Sequence, residues 1–446
     1  MNKFVILIKK PARIVYRTLR KTLQFFSSGG RQAREDKKTI QALNRQSKLL
    51  KADSNKKIIR LKAQIDRLSQ RVDDAKFIEG SALYRFLKMA DSCIARAPDL
   101  EADVYCGHGV QALPAAFALK RTTGGKACCD VIETPSFRER SLMPNWSPHI
   151  IDVVDAVSHG FLREADILTT VSWTLSREMT QINNNISTLP NYKYKDDIKA
   201  TDRLRKDCGV KPNEQLVLVL STVTSALENV IEAVAKLGPS MHLVVVGSVL
   251  QAEYREKVEY LAETFGISER FKILPQVPYD ELTGYANGAD VGLIVRDPTI
   301  RNHRVSLPNR LFDYMASGLP VVTPYMPDIS KILEEQDFGI SIHSTTPEAW
   351  REAISAALEN KEHFAKNAVF ASQRLTWESL ETSLPRIFGN PKTICFIGYN
   401  DLSKNNRTLR IAKSLVKQGV TVKIAGRSIS HKTVKAVGAI PISLDF

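Results

Sequence analysis

Residues 301–322 read RNHRVSLPNRLFDYMASGLPVV, a cationic, polar run that passes into an apolar helix pattern and then an apolar strand. The run follows a predicted strand at Val291–Val295, and we expect its helix to open near Pro308. In doubly wound sheets, ligands lie beyond the carboxyl ends of the strands, where a helix N-terminus offers free N–H groups to a phosphate. The segment therefore predicts an anion-binding site at the edge of a parallel α/β sheet.

Five polar side chains of this segment are candidate ligands. Ser306 and Asn309 can donate hydrogen bonds, and Arg304 and Arg310 can pair with a diphosphate. Asp313, one helical turn further on, is placed to accept ribose hydroxyls. The structural alternative is that Ser306 merely caps the helix while the arginines lie in solvent.

Strand-like and helix-like segments alternate from Leu83 onward, which is typical of a parallel α/β sheet. A first set of strands is predicted between Asp103 and Val171. A second set, from Leu216 to Leu375, has the length and pattern of a complete doubly wound domain. A third piece, 393–446, is too short to be an independent α/β domain and must pack on another part of the chain.

The composition is that of an ordinary globular protein. The chain has 446 residues, of which 43% are hydrophobic and 25% charged, which excludes collagen-like and disordered classes. Its six cysteines form no CxxC pair, so we predict neither a zinc site nor a disulfide framework. This cysteine usage favours a reducing compartment, and we expect a cytoplasmic protein.

The basic excess of the chain lies at its N-terminus. Residues 1–80 carry 21 Lys+Arg and 7 Asp+Glu, whereas the remaining residues carry 42 and 41 of a total of 63 and 48. Residues 1–34 contain nine basic residues and no acidic one, with apolar residues at helical spacing between them. This pattern favours a helix on an anionic membrane surface, at the inner face. A solvated basic helix and a nucleic-acid contact are the alternatives, the latter without a supporting motif.

Between Arg31 and Lys76 there is neither proline nor glycine. Six apolar residues repeat there at alternating steps of three and four, which predicts a short coiled coil and a homodimer: Ile58, Leu61, Ile65, Leu68, Val72 and Ala75. The alternative is a single long helix that packs on its own body.

The segment from Ser306 to Val322 resembles the S-x-PNKLFEYMAAGLPVV motif of group 1 (family 4-like) glycosyltransferases of the GT-B fold, in their PNKLFEYM-type branch. Three weaker matches occur in the order found in the family. Residues 103–114, DVYCGHGVQALP, resemble its DVYHAHDLQALP; Asp130-Val-Ile-Glu133 resembles its D-x-HE; and Leu189-Pro-Asn191 follows an AD…VS pattern. The resemblance covers residues 81–390.

The resemblance implies a fold of two doubly wound, Rossmann-like domains that face a cleft, here preceded by the basic helix and the coiled coil. It implies that His108 and Glu133 are the catalytic residues, with His108 on the donor sugar. It also implies that the nucleotide sugar binds to the residues of the 300s motif: Arg301, Arg304, Ser306, Asn309, Arg310 and Asp313.

The chain departs from the family at several of these positions. Val305 replaces the first member of the acidic pair, and Ile132 replaces a histidine on the acceptor side. The loop 221–226 lacks the usual basic phosphate ligand, for which Arg296 or Arg301 would compensate.

The implied function is transfer of a hexose-type sugar from a nucleotide diphosphate sugar to a glycan or lipid-linked acceptor, in cell-surface polysaccharide or glycolipid synthesis. The resemblance implies retention of configuration, and we expect no metal or other cofactor because helix N-termini and cationic groups stabilise the leaving diphosphate. A nucleotide-sugar epimerase and a catalytically dead scaffold are the alternatives.

We expect five parts: a basic tail (1–30), a coiled-coil helix (31–80), a partial N-terminal acceptor domain (81–200), a C-terminal nucleotide-sugar domain (201–390) and a βαβ unit (391–446). The last unit resembles the first strand, glycine loop and helix that the N-terminal domain lacks. It either completes that domain or begins a truncated second one, and completion is favoured because it removes two exposed sheet edges.

Overall fold

A computed structural model of the protein describes residues 38, 41–42, 82–136, 148–195, 201–248, 252–278 and 281–446. The predicted basic helix and coiled coil lie outside these residues, apart from Lys38, Gln41 and Ala42, which are helical. The described residues form two α/β domains, each built on one parallel sheet.

The first sheet begins after two helices. The elements in chain order are α1 (Ala82–Ala95), α2 (Ala97–Leu100), β1 (Val104–His108), α3 (Leu113–Thr123), β2 (Lys126–Val131), α4 (Pro148–Glu164), β3 (Ile167–Thr170), α5 (Trp173–Met179) and β4 (Ile186–Thr188). The sequence predicted strands and helices in this order, with bounds that differ by a few residues.

The second sheet is formed by one continuous stretch of chain. Its elements are α6 (Arg203–Cys208), β5 (Gln215–Leu220), α7 (Glu228–Ala235), β6 (Met241–Val246), α8 (Ala252–Thr264), β7 (Phe271–Leu274), α9 (Leu282–Ala286), β8 (Val291–Leu293), α10 (Arg301–Val305), α11 (Asn309–Ala316), β9 (Val321–Pro324), α12 (Pro327–Gln336), β10 (Gly339–Ile342), α13 (Pro347–Glu359) and α14 (Lys361–Arg374).

The chain then returns to the first sheet. The last elements are α15 (Glu378–Glu381), α16 (Leu384–Ile387), β11 (Thr393–Gly398), α17 (Asn406–Lys417), β12 (Thr421–Gly426), α18 (His431–Ala436) and β13 (Ile440–Ser443). Helix α17 begins at a side-chain cap, because Asn405 Oδ1 accepts the Thr408 N–H at 2.8 Å.

The C-terminal unit and the first set of strands share one sheet. Its order is β13-β12-β11-β1-β2-β3-β4, and β11 pairs in parallel with β1, Val104 opposite Ile394 and Gly107 opposite Ile397. Of the two arrangements left open by the sequence, the structure has the one in which the unit completes the N-terminal sheet. Strand β1 therefore has a hydrogen-bonded neighbour on both sides, β11 and β2, and neither of its edges is exposed.

The second sheet has the order β10-β9-β8-β5-β6-β7, all parallel. The chain runs outward from β5 to β7 on one side and from β8 to β10 on the other. The direction of winding therefore reverses between β5 and β8, and a crevice opens at their carboxyl ends.

The core lies on both faces of both sheets, as expected for parallel strands covered by helices on each side. One apolar cluster of the first sheet joins residues distant in the chain, such as Cys106 and Cys128 with Phe396 and Leu415. In the returning segment Trp377 is fully buried, and its Nε1 donates to Ser414 of α17 at 2.8 Å. The segment after α14 is thus part of the packing of the first domain.

Two parallel-sheet domains arranged in this way constitute the GT-B fold, which confirms the predicted fold class. Within the described ranges, no helix is both long and apolar enough to span a bilayer.

Candidate active site

The crevice between β5 and β8 is closed from below by Tyr314 of α11. Its hydroxyl accepts the Leu220 N–H at 2.7 Å and donates to the Leu293 carbonyl at 3.0 Å. The ring packs against Gly292, where an added Cβ would lie 2.7 Å from it. Tyr314 therefore anchors α11 to both strands at the crevice.

Arg310 lies one turn before Tyr314 on the same helix. Its guanidinium is buried, and its Nη1 has no hydrogen-bond partner. Burial lowers the pKa of Arg310, because a charged group away from water is disfavoured. A buried, unsatisfied cation costs free energy, and an anion in the crevice would remove that cost.

A second guanidinium lies beside Arg310. Arg296, three residues after β8, donates from Nη1 to Ser306 Oγ at 2.5 Å. Burial and the charge of Arg310 lower the pKa of Arg296 to about 9, and Glu133 acts in the opposite direction. His303 is also near, since burial and the charge of Arg296 lower its pKa. The crevice thus contains two buried guanidinium groups and a histidine that is neutral at pH 7.

Helix α11 adds backbone donors to this cationic group. The helix follows Pro308 and has no side-chain cap, so its first N–H groups are uncapped. Ser306 is therefore not the cap of this helix, and the structural alternative considered for it does not apply.

Three of the remaining polar candidates of the 300s motif are exposed. Asn309 is exposed at the first position of α11, and Arg304 is exposed on α10. Arg301 pairs with Glu178 of the other domain at 2.9 Å. Of the sequence candidates, the structure brings Ser306 and Arg310 together and leaves Arg301 and Arg304 at the rim.

Asp313 is held by a buried ion pair. It is 2% exposed, and its Oδ1 lies 2.7 Å from Lys193 Nζ. Lys193 is also buried and contacts Thr283. A ribose hydroxyl at Asp313 would have to compete with Lys193, and the expected ribose contact of Asp313 stays a prediction.

The catalytic candidates lie in the opposite domain, at the carboxyl ends of β1 and β2. His108 ends β1, and Glu133 follows β2 by two residues; both line a cavity of about 240 Å³. The far wall comes from the C-terminal unit, with Tyr399, Asn400 and Asn405 among its residues. The cavity therefore exists only because the two chain segments share a sheet.

The ring of His108 is held by this unit. Asn405 uses Oδ1 for its cap, so its Nδ2 donates to His108 Nε2 at 3.0 Å. The proton of His108 then belongs on Nδ1, which faces Thr408 Oγ1 at 3.4 Å and Asp130 Oδ2 at 3.6 Å. This arrangement fixes the orientation of the His108 ring in the wall of the cavity.

Asp130 and Arg407 form a buried pair beneath His108. Two guanidinium nitrogens donate to the two carboxylate oxygens at 2.8 Å each, and Thr169 donates to Oδ1 at 2.7 Å. Burial alone would raise the pKa of Asp130, but the charge of Arg407 outweighs it and holds the pKa well below its usual range. The pair connects the C-terminal unit to β2.

The two domains meet over α10. The Thr134 N–H donates to Asn302 Oδ1 at 2.9 Å, and the hydroxyl of Ser172 donates to the Val305 carbonyl. These contacts place the loop that carries Glu133 beside the segment that carries Arg296.

Sequence reasoning missed several members of the site. Asn405 contacts His108 and Lys193 contacts Asp313, roughly 300 and 120 positions away in the chain. No local sequence pattern indicates such distant contacts. Arg296 was considered only as a compensating group, although a lone arginine three residues beyond a buried strand is a detectable signal.

Comparisons with known proteins concern the family and the fold. Residues 200–371 match the family described as Glycosyl transferases group 1. Over 203 residues the chain is 23% identical to a D-inositol 3-phosphate glycosyltransferase of Corynebacterium glutamicum (strain R), which covers 43% of this chain and 47% of the relative. The chain thus spans about half the length of the curated relatives it matches.

Two solved structures show the same fold at low identity. Anabaena Alr3699/HepE, solved in complex with UDP-glucose, has a TM-score of 0.57 and 16% identity over 68% of this chain and 81% of its own. The sucrose-phosphate synthase of Thermosynechococcus elongatus has a TM-score of 0.55 and 16% identity over 64% and 73%.

Proposed function

We propose that this protein transfers a sugar from a nucleotide diphosphate sugar to an acceptor hydroxyl. The observation that carries the proposal is Arg310, whose buried Nη1 lacks a partner beside a second buried guanidinium, Arg296. Two like charges in one crevice are unfavourable unless an anion joins them. A diphosphate can bind both, and guanidinium groups favour such bidentate contacts.

In this proposal the donor lies between the two domains. Its diphosphate binds to Arg310, Arg296 and the uncapped N–H groups of α11, and its sugar points to the cavity of the other domain. Glu133 is near enough to Arg296 to affect its pKa, so the cavity and the crevice are neighbours. The bond from the sugar C1 to the diphosphate breaks, the acceptor oxygen bonds to C1, and the proton of the acceptor hydroxyl passes to the leaving diphosphate.

The described residues suggest how the barrier is lowered. Negative charge develops on the leaving diphosphate, and buried guanidinium groups already in place stabilise it without reorganisation. Glu133 can accept a hydrogen bond from the incoming hydroxyl, while Asn405 keeps His108 oriented. No metal or cofactor is invoked in these steps.

The finer parts of the proposal come from the sequence. They are retention of configuration, a role in cell-surface polysaccharide or glycolipid synthesis, attachment of residues 1–34 to an anionic membrane surface, and dimerisation through 31–80. The HepE complex with UDP-glucose supports a nucleotide-sugar donor.

The decisive variant is Arg310→Ala. Removal of a charge-assisted contact should weaken UDP or GDP binding by about 1.5–3 kcal/mol, measured by calorimetry. Arg304→Ala is the matched control, because Arg304 is exposed and should leave affinity unchanged. Equal affinity of wild type and Arg310→Ala for both nucleotides, with the fold intact, would contradict the proposed donor site.

A panel of nucleotide sugars separates the competing functions. A transferase should release the nucleoside diphosphate slowly with water and faster with an acceptor. An epimerase would convert the donor sugar without a separate acceptor, and a dead scaffold would release no product. NMR of the glycoside formed tests the expected retention.

A further inference from the structure

The cavity beside His108 has an unusual balance of charge for a site in so basic a chain. Its polar lining consists of His108, Gln111, Glu133, Asn400, Asp401 and Asn405. Two of these are carboxylates, and among the described residues that line it none is lysine or arginine. The chain as a whole has a formal net charge of +15, so the composition of the cavity is not that of its surroundings.

The nearest buried cation is not available to a ligand. The guanidinium of Arg407, at the start of α17, donates hydrogen bonds to the Asp130 carboxylate and to the Leu189 carbonyl. It is 6% exposed and does not line the cavity. A phosphate in the cavity would therefore find no lysine or arginine among the described residues that line it.

The N-terminus of α17 also points to this region, and a helix N-terminus attracts anions. Here N–H groups at the helix start and just before it already have side-chain partners. Asn405 Oδ1 binds the Thr408 N–H, and Asp401 binds the Ser403 N–H at 3.0 Å just before the helix. Asp401 thus caps the short turn Leu402–Lys404 that precedes the helix.

The other features of the wall suit a sugar ring. Amide groups of Gln111, Asn400 and Asn405 offer donors and acceptors together, as a hydroxyl group requires. Tyr399 adds an aromatic surface, and its ring is fixed by an edge contact with Phe86 at 5.5 Å between centroids. Hydrophobic and aromatic walls with a few placed polar groups are usual in small-molecule sites.

We propose that this cavity binds a neutral, hydroxyl-rich acceptor and rejects acceptors that carry phosphate or carboxylate on the bound ring. The inference rests on the proposed function and adds the substrate class. It separates this chain from its curated relatives, whose name, D-inositol 3-phosphate glycosyltransferase, denotes a phosphorylated acceptor. Glu133 and Asp401 disfavour an anion there, because Lys404, 3.5 Å from Asp401 Oδ2, is exposed and screened by solvent, while the guanidinium groups of the other domain attract the donor.

The experiment uses matched pairs of probes with the full-length protein saturated with UDP. The pairs are myo-inositol with D-inositol 3-phosphate, and methyl α-D-glucoside with glucose 6-phosphate. Binding is measured by ligand-observed NMR, together with the effect of each probe on UDP release from UDP-glucose. We expect at least one neutral probe to bind saturably, at least tenfold tighter than its phosphorylated partner, and to accelerate UDP release.

A gain-of-charge variant sharpens the test. Gln111→Arg places a guanidinium in the cavity wall and should reduce the neutral preference at least tenfold, through tighter binding of the phosphorylated probe. Gln373→Arg is the control, since Gln373 is exposed on α14 and should leave the preference unchanged.

Equal binding within each pair, tighter binding of the phosphorylated probe by the wild type, or saturable binding of neither neutral probe would overturn the inference. UDP affinity is measured in the same samples. If UDP does not bind, the proposed donor site is refuted. If UDP binds normally but the neutral probe is not preferred over its phosphorylated partner, only the proposed acceptor class is refuted.

Discussion

The two domains differ in how the chain builds them. The C-terminal domain takes all six strands from one continuous stretch, 215–342, whereas the N-terminal domain combines 104–188 with 393–443. The continuous domain contains a crevice with buried cations. The divided domain contains a cavity with carboxylates, whose walls come from both segments.

The difference shows what holds a divided domain together. Strand pairing and apolar packing are similar in the two sheets, but only the divided one depends on contacts between residues nearly 300 positions apart. Its buried ion pair, Asp130 with Arg407, joins the segments directly. In the continuous domain the comparable carboxylate, Asp290, is held by two cations, Arg205 and Lys361.

The largest expected effect is that of a chain that stops at Gly389. It would lack three of the seven strands of the first sheet and would expose buried side chains such as Val104 and Cys106. Each fully buried apolar side chain is worth about 1.5–3 kcal/mol, so a few exceed the 5–15 kcal/mol stability of a domain. We expect aggregation, or loss of hydrogen-exchange protection in 104–188 with protection kept in 215–342.

Supplying residues 390–446 as a second chain is the control for this truncation. Co-expression should restore solubility, because the missing strands can then pair with β1. A soluble, cooperatively folded fragment that ends at Gly389, without the second chain, would contradict the account of a divided domain.

The next effect concerns the ion pair between the segments. Arg407→Met leaves Asp130 buried without its cation, and breaking such a pair costs about 3–5 kcal/mol. Arg205→Met is the matched variant in the continuous domain, where Lys361 remains beside Asp290. Urea unfolding should show the larger loss for Arg407→Met; equal losses would remove the distinction between the domains.

A smaller effect should appear in acid. The native pKa of Asp130 is lowered from 3.8, so its pair with Arg407 contributes stability above that pH and loses it as the pH falls below. Unfolding followed by hydrogen exchange should begin in the divided domain below about pH 4. In Asp130→Asn, which is less stable at neutral pH, this contribution to the slope should be absent.

The sequence predicted the fold well because its signals are local. Alternating strands and helices sufficed for the order of elements, while the anion site near Arg310 stays a prediction. What it could not predict depends on distant partners. The pairing of Asp313 with Lys193 and the hydrogen bond from Asn405 to His108 Nε2 form only in the folded chain. The roles expected of Asp313 and His108 stay predictions.

The order of strands also bears on synthesis at the ribosome. Strand β1 emerges early, but its neighbour β11 is made about 200 residues after β4 ends. At the roughly 5–20 residues per second of translation, the nascent first sheet waits about 10–40 s with one side of β1 unpaired. The C-terminal domain is completed within that interval. The half-sheet therefore needs protection by a chaperone, or by the C-terminal domain itself, until the last strands are made.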